Sequence, residues 1–97
     1  MEFRKGILFI RLKGDLNKDT IKGIIDKDFK YVVLNIDDMY SIDSYSIKYL
    51  NKIYKLYESN NNKLIICDKF NVSRKLLKDI PKIDREYDAF KLFERMI

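Results

Sequence analysis

The side chains best suited to chemistry lie in one short polar stretch, residues 37–46. Asp37 and Asp38 are adjacent carboxylates of the kind that bind a metal ion or exchange a proton, but no third ligand is suitably spaced. Adjacent carboxylates at a strand end more often form a solvated corner. Asp43 and Ser44 stand directly before an amphipathic run, where small polar side chains cap helices. We therefore expect a strand end beside a helix N-terminus, a corner where anions, ligands and protein partners dock.

The composition excludes several classes of catalytic site. The chain has no histidine and a single cysteine, Cys67, so it can form neither a zinc site of the usual kind nor a Ser-His or Cys-His nucleophile pair. Cys67 lies in an apolar run and is expected to be a buried, unreactive thiol. The three glycines are too scattered for a phosphate-binding loop. We expect no enzymatic activity, no metal and no cofactor; a small nucleotide-binding or phosphatase-like enzyme that uses Asp37 or Asp38 is the disfavoured alternative.

The length indicates one domain, residues 1–97, and the lack of a membrane span or signal peptide, described below, indicates a cytoplasmic protein. The chain is 46% hydrophobic and 36% charged, which is typical of a folded domain. Its net charge of +5 is spread among alternating basic and acidic residues, which favours a solvated surface over a nucleic-acid interface. No apolar run approaches the roughly 20 residues of a membrane span, and the N-terminal segment becomes charged too early for a signal peptide.

Hydrophobic periodicity predicts strands that alternate with helices. Strands are predicted at residues 2–4, 7–12, 31–36, 63–67 and 83–85. Helices are predicted to start within residues 16–20, to run from Ser44 to the asparagines at 60–62, to cover residues 71–77, and to follow the cap Asp88. The first helix is short, with an apolar stripe of Ile21, Ile24 and Ile25. This order predicts an α/β fold: a mixed sheet with parallel inner strands, an antiparallel N-terminal edge and helices mainly on one face.

The helix that starts at Ser44 separates an apolar face from a basic one. Its apolar stripe is predicted to pack on the sheet and consists of Ile47, Leu50, Ile53, Tyr54 and Tyr57. The opposite face carries Lys48, Lys52 and Lys55, a pattern usual for a solvated face that could also meet an acidic partner. Tyr45 and Tyr49 lie beside these lysines, and this is the composition of a protein-protein anchor. Tyr49 could equally pack beneath the sheet edge, so both interpretations stay open.

The run from Leu34 to Leu50, LNIDDMYSIDSYSIKYL, resembles the signature of the STAS domain, the module shared by anti-sigma factor antagonists and the cytoplasmic tails of sulphate transporters. Three further segments resemble the family in order along the chain: IRLKGDLNKDT, KLIICDKFNVSRKLL and YDAFKLF. The resemblance covers almost the whole chain and implies a STAS-like fold. It also implies a non-enzymatic module that binds a protein partner.

Two positions depart from the family's phosphorylation motif. In the family, a partner kinase phosphorylates the second hydroxyl of an Asp-Ser-Ser-Gly or Asp-Ser-Thr-Gly motif, and the matching residue here is Tyr45. A phosphate on that turn must reach the free backbone N–H groups of the helix, and tyrosine places its oxygen too far out. Asn17 stands where the family usually has Asp. We therefore expect the serine switch to be absent or rebuilt, with Ser44 and Ser46 as candidate phosphoacceptors and helix capping as the alternative role of Ser44.

The resemblance implies a partner-binding surface around the start of that helix. Its predicted residues are Asp15, Asn17, Lys18, Asp38, Ser41, Asp43, Ser44, Tyr45, Ser46, Lys48, Tyr49 and Lys52. The implied partner is an anti-sigma factor of the serine-kinase type, or a related kinase, and its capture frees a sigma factor. The alternative within the same fold is an accessory or scaffold subunit of a signalling or transport assembly. A monomer is favoured over a dimer.

Overall fold

The computed structural model describes residues 1–21 and 29–96. Within these residues the chain forms five strands, which are β1 Glu2–Arg4, β2 Ile7–Leu16, β3 Tyr31–Ile42, β4 Lys63–Cys67 and β5 Lys82–Ile83. It also forms three helices, which are α1 Lys18–Ile21, α2 Ser44–Ser59 and α3 Asp88–Met96. None of these described helices is long and apolar enough to cross a membrane.

The strands form a mixed sheet in the order β1-β2-β3-β4-β5. β1 pairs with β2 in the antiparallel sense, and the other neighbouring strands are parallel. Lys5 and Gly6 connect β1 to β2 with φ angles of 50° and 82°, the left-handed backbone that the favoured two-residue hairpin turn requires. The predicted α/β fold, with parallel inner strands and an antiparallel N-terminal edge, is confirmed.

Helices cover both faces of the sheet, which explains the continuous apolar runs of its central strands. On one face, alternate residues of β2, β3 and β4 pack against α1 and α2 through Ile21, Leu50 and Tyr57. On the other face, the intervening residues pack against α3 through Ala89 and Phe93. Two of the three described helices therefore share a face, as predicted, and α3 lies on the other.

The single cysteine belongs to the layer beneath α3. Cys67 is 1% exposed and packs in the same apolar cluster as Ala89 and Phe93. Burial raises the pKa of its thiol to about 12, and nearby carboxylates act in the same direction. The predicted burial of Cys67 is confirmed, and the raised pKa favours the protonated, less reactive thiol at neutral pH.

β2 and β3 are longer than the sequence predicts, and this changes the polar corner between them. The predicted corner at residues 37–41 belongs to β3, which continues to Ile42 and pairs with β2 as far as Leu16. Aspartate and glycine are rare in strands, so local propensity predicts earlier strand ends. Two register shifts let these polar residues keep their pairing, and Gly14 beside one of them has a φ of 72°. Pairing with the neighbouring strand thus overrides local propensity.

The prediction of a helix at residues 71–77 is wrong, because the chain forms turns there. The buried carboxylate of Asp68 accepts hydrogen bonds from the N–H groups of Val72 at 3.0 Å and Ser73 at 2.7 Å. It also accepts one from the Ser73 hydroxyl at 2.6 Å. Asn71 has a φ of 60°, which a right-handed helix cannot include. A buried carboxylate and one left-handed residue therefore shape this segment in place of a helical ladder.

The other predicted elements are confirmed with small shifts. β4 has the predicted bounds, and the edge strand predicted at 83–85 forms at Lys82–Ile83. α2 ends before the asparagines, where Asn61 has a φ of 62°, consistent with the left-handed tolerance of this residue type. Asp88 is the first residue of α3 and not its cap. Two residues of the predicted first stripe lie outside the described residues: Ile24 and Ile25.

A carboxylate just before α3 ties that helix to the sheet. Glu86 accepts two hydrogen bonds from the Arg11 guanidinium, at 2.7 and 2.9 Å, and one from the Asn35 amide at 2.8 Å. Hydrogen bonding to Arg11 lowers the pKa of Glu86, against the opposing effect of partial burial. Because the pair is bidentate and only 17% of the Glu86 side chain is exposed, it is a stronger contact than a surface ion pair.

This carboxylate should make stability depend on acid pH. The pKa of Glu86 is lowered by folding, so its contribution is complete above its ordinary value of 4.5 and is lost as the pH falls through the lowered value. We expect Glu86→Gln to reduce the free energy of unfolding by about 1–2 kcal/mol at neutral pH, and by much less in acid. Urea unfolding across the acid range measures both. Glu58→Gln, which removes an exposed carboxylate 3.7 Å from Lys63, is the control, and identical pH profiles for wild type and Glu86→Gln contradict the prediction.

Candidate partner-binding site

The carboxyl ends of β2 and β3 meet the starts of α1 and α2 at one edge of the sheet. The Ser41 hydroxyl donates a hydrogen bond to the Asp15 carboxylate at 2.7 Å, so two predicted site residues are in direct contact. The Asp43 N–H donates to the Leu16 carbonyl at 3.0 Å, which joins the start of α2 to the end of β2. We call residues 15–18 together with residues 41–45 the helix-start corner. Backbone pairing and these two bonds hold it in one shape.

The start of α2 is capped by Asp43, as predicted. Its backbone is extended, with φ −87° and ψ 171°, and its carboxylate accepts a hydrogen bond from the Ser46 N–H at 2.8 Å. This bond is the main cause of the lowered pKa of Asp43. Ser44 is the first residue of the helix, so the capping role considered for Ser44 belongs to Asp43. The first turn of α2 therefore already holds a negative charge at its N–H groups.

Asn17 is the cap of α1. Its side-chain oxygen accepts hydrogen bonds from the N–H groups of Asp19 and Thr20 at 3.0 and 3.2 Å, and the Thr20 hydroxyl accepts one from the Asn17 N–H at 2.9 Å. This reciprocal arrangement occupies the Asn17 amide oxygen inside its own turn. The same Thr20 hydroxyl donates to the Asp15 carbonyl at 2.9 Å. The position where the family usually has Asp is thus a structural cap beside exposed Lys18.

Along the first turns of α2, exposed and buried side chains alternate with the helical period. Tyr45 is 40% exposed and projects from the first turn. Ser44, Lys48 and Lys52 are exposed on the same helix. Tyr49 is half-buried and packs against the apolar cluster beneath α2, which favours the core interpretation left open by the sequence. The exposed aromatic group at this helix start is therefore Tyr45 alone, not the predicted pair.

The burial of Ser46 corrects its place among the predicted surface residues. Its side chain is 0% exposed, so neither a partner nor a kinase reaches the hydroxyl in this structure. The hydroxyl lies close enough to the Asp43 carboxylate to help lower the pKa of Asp43. The hydroxyl and the carboxylate nevertheless lack the geometry of a hydrogen bond, and the Ser46 oxygen forms no hydrogen bond with any other described residue. Helical spacing turns this position inward, which the motif alone did not indicate.

The two adjacent aspartates have separate surroundings. Asp37 accepts a hydrogen bond from the Lys69 N–H at 2.8 Å, so it holds the segment after β4 against β3. Asp38 is exposed and lies with Lys13 and Tyr40 at a shallow depression of about 350 Å³. Residues 1–21 and 29–96 contain no group of three or more acidic or cysteine side chains placed to hold a metal ion. Asp37 therefore has a structural contact, and Asp38 is a solvent-exposed carboxylate.

One exposed residue of this edge was missed from the sequence. Tyr40 is 86% exposed near the end of β3, one position after Met39, which packs against the core. The sequence signal for this exposure is the alternation of inward and outward side chains along a strand. It can be recognised only if β3 is extended past the aspartates. The outer face of α2 also carries a shallow depression of about 450 Å³, which Lys48, Lys52 and Leu56 border.

Comparison with known proteins identifies the class to which this fold and corner belong. A family model of the STAS domain matches residues 1–80, so the chain belongs to the STAS domain family. Among solved structures, it resembles the anti-sigma factor antagonist SpoIIAA in its unphosphorylated form. The TM-score is 0.73 at 15% sequence identity, and the match covers 100% of this chain and 96% of that chain. The family predicted from the motif between Leu34 and Leu50 is confirmed.

Proposed function

We propose that the protein is a non-enzymatic interaction module of the anti-sigma factor antagonist type. Residues 1–97 act as a single cytoplasmic domain, as a monomer, and bind an anti-sigma factor of the serine-kinase type. Binding occupies that factor and frees a sigma factor for transcription. Membership of the STAS family and the structural likeness to SpoIIAA support this class of function.

The observation that carries the proposal is the exposed phenol of Tyr45 on the first turn of α2. Tyrosine combines a rigid apolar ring with a hydroxyl, and it is among the residues that dominate the binding energy of protein interfaces. Exposed polar and charged groups surround it, as expected for the rim of an interface. The proposed contact residues are Asp15, Asn17, Lys18, Asp38, Ser41, Asp43, Ser44, Tyr45, Lys48 and Lys52, with Tyr49 supporting the helix from beneath.

We propose further that serine phosphorylation on this chain does not control the complex. Tyr45 occupies the position of the family's phosphoacceptor, and Ser46 is buried. Ser44 is exposed, but it stands next to the Asp43 carboxylate, which already accepts the Ser46 N–H of the first turn. A phosphate on Ser44 would lie beside this like charge, which opposes phosphorylation there. The surface therefore binds its partner without a covalent switch.

Release of a sigma factor tests this proposal. A fluorescently labelled sigma factor is bound to its anti-sigma kinase, and the protein is added in the presence of Mg-ADP or Mg-ATP. We expect the fluorescence anisotropy to fall to the value of free sigma factor, equally with either nucleotide. Failure to release sigma factor contradicts the antagonist function. A pull-down that recovers a transporter-associated ATPase in its place indicates the scaffold alternative.

A further inference from the structure

We propose that residues 69–78, which we call the basic loop, bind the surface of an anionic lipid bilayer. The basic loop follows β4 and contains three exposed apolar side chains. Phe70 is 65% exposed, Val72 is 52% exposed and Leu76 is 44% exposed. Exposed apolar groups concentrated in so short a segment mark an interaction surface more often than a surface that contacts water alone.

The basic loop is anchored, so its apolar groups are held outward by the fold. Ser73, Leu77 and Ile80 are buried, and the Leu77 N–H donates to the Ser73 carbonyl at 2.8 Å across one turn. Val72 and Leu76 each directly precede one of these inward residues, and both are exposed. Buried Asp68 fixes the loop from within through its bonds to the Val72 and Ser73 N–H groups, described above.

The charge of the basic loop complements an anionic surface. Its four cations, Lys69, Arg74, Lys75 and Lys78, are all exposed, and residues 69–78 include no acidic side chain. The Lys69 ammonium lies 5.9 Å from the centre of the Phe70 ring, so a cation and an apolar group reach the surface together. Near an anionic membrane, each such cation strengthens binding by about fivefold.

The composition favours a lipid surface over a protein partner. Leucine and valine are under-represented among the energetic hot spots of protein interfaces. At a bilayer, by contrast, phenylalanine and leucine enter the boundary between headgroups and acyl chains, while lysines extend their ammonium groups towards the phosphates. The basic loop is built of turns and follows directly after β4.

Vesicle sedimentation tests the proposal. The full chain is mixed with sucrose-loaded vesicles of phosphatidylcholine and phosphatidylglycerol in equal parts, and with vesicles of phosphatidylcholine alone. We expect sedimentation with the anionic vesicles only. The double variant Phe70→Ser, Leu76→Ser should lower the partition coefficient by about tenfold or more, because two apolar anchors are lost. Lys75→Gln should lower it by about fivefold.

Matched control variants on α2 test whether binding requires the basic loop or any exposed lysine or leucine. Leu56→Ser removes a comparably exposed leucine from α2, and Lys55→Gln removes a lysine there; both should sediment like wild type. Circular dichroism confirms that each variant is folded. Wild-type protein that stays in the supernatant with anionic vesicles overturns the proposal, as does sedimentation that the loop substitutions leave unchanged. If the substitutions in the basic loop weaken binding to a protein partner but not to vesicles, the loop is a protein contact and the lipid proposal is wrong.

Discussion

Tyr45→Ala should weaken binding to the proposed anti-sigma partner by about tenfold to a hundredfold, the effect expected when an aromatic anchor is removed from an interface. Tyr45 is 40% exposed on the first turn of α2 and lies beside the capped helix start. Alanine is the best helix former, so the substitution should not unfold α2. Isothermal titration calorimetry with the purified partner measures the change.

Tyr87→Ala is the matched control for that experiment. Tyr87 is 63% exposed and lies just before α3, which packs on the opposite face of the sheet from α2. Its loss should leave the affinity within about twofold of wild type, because a residue outside the interface contributes little to binding. Equal affinities for wild type and Tyr45→Ala contradict the proposed anchor, and equal losses at both tyrosines show that the effect is not local.

Asp68→Asn should destabilise the fold by about 3 kcal/mol, because an amide nitrogen replaces one carboxylate oxygen opposite donors that are already buried. Asp68 is 4% exposed and accepts three hydrogen bonds, from the Val72 N–H, the Ser73 N–H and the Ser73 hydroxyl. When one of these buried donors lacks an acceptor, the segment between β4 and β5 is held less strongly against the core. The midpoint of urea unfolding measures the loss.

Asp79→Asn provides the comparison within the same segment. Asp79 is exposed, so its substitution should change the free energy of unfolding by no more than about 0.5 kcal/mol. Asp68→Asn with the stability of Asp79→Asn would show that the buried hydrogen bonds contribute little. In that case the turn conformation of residues 71–77 would need another cause.

The sequence predicts those parts of the fold whose pattern is local and strong. The apolar run of β4 and the stripe of α2 identify their elements, because burial against a sheet requires that periodicity. The extension of β3 to Ile42 is not visible in this way, since its aspartates disfavour strands and are retained by pairing with β2. The absence of a helix at 71–77 depends on Asp68, whose burial is a property of the tertiary structure.

The site shows the same division between local and tertiary information. The cap at Asp43 follows from residue type and position, and the structure confirms it. The burial of Ser46 follows from helical spacing, since it lies one turn before buried Leu50, whereas Tyr45 is 40% exposed. Tyr40 was missed because its exposure follows from a strand extension that the sequence does not favour. The helix cap and the apolar stripe of α2 can be placed from sequence, but the exposure of Tyr40 depends on strand pairing that is not local.

We propose that Tyr45 replaces the phosphoacceptor and leaves a binding surface without a covalent switch. Intact mass spectrometry of the wild-type protein, after incubation with its anti-sigma kinase and Mg-ATP, tests this most directly when the Kd of the complex is measured alongside. We predict that neither the mass nor the Kd changes. A mass increase of one phosphate on this chain, accompanied by dissociation of the complex, would contradict the claim.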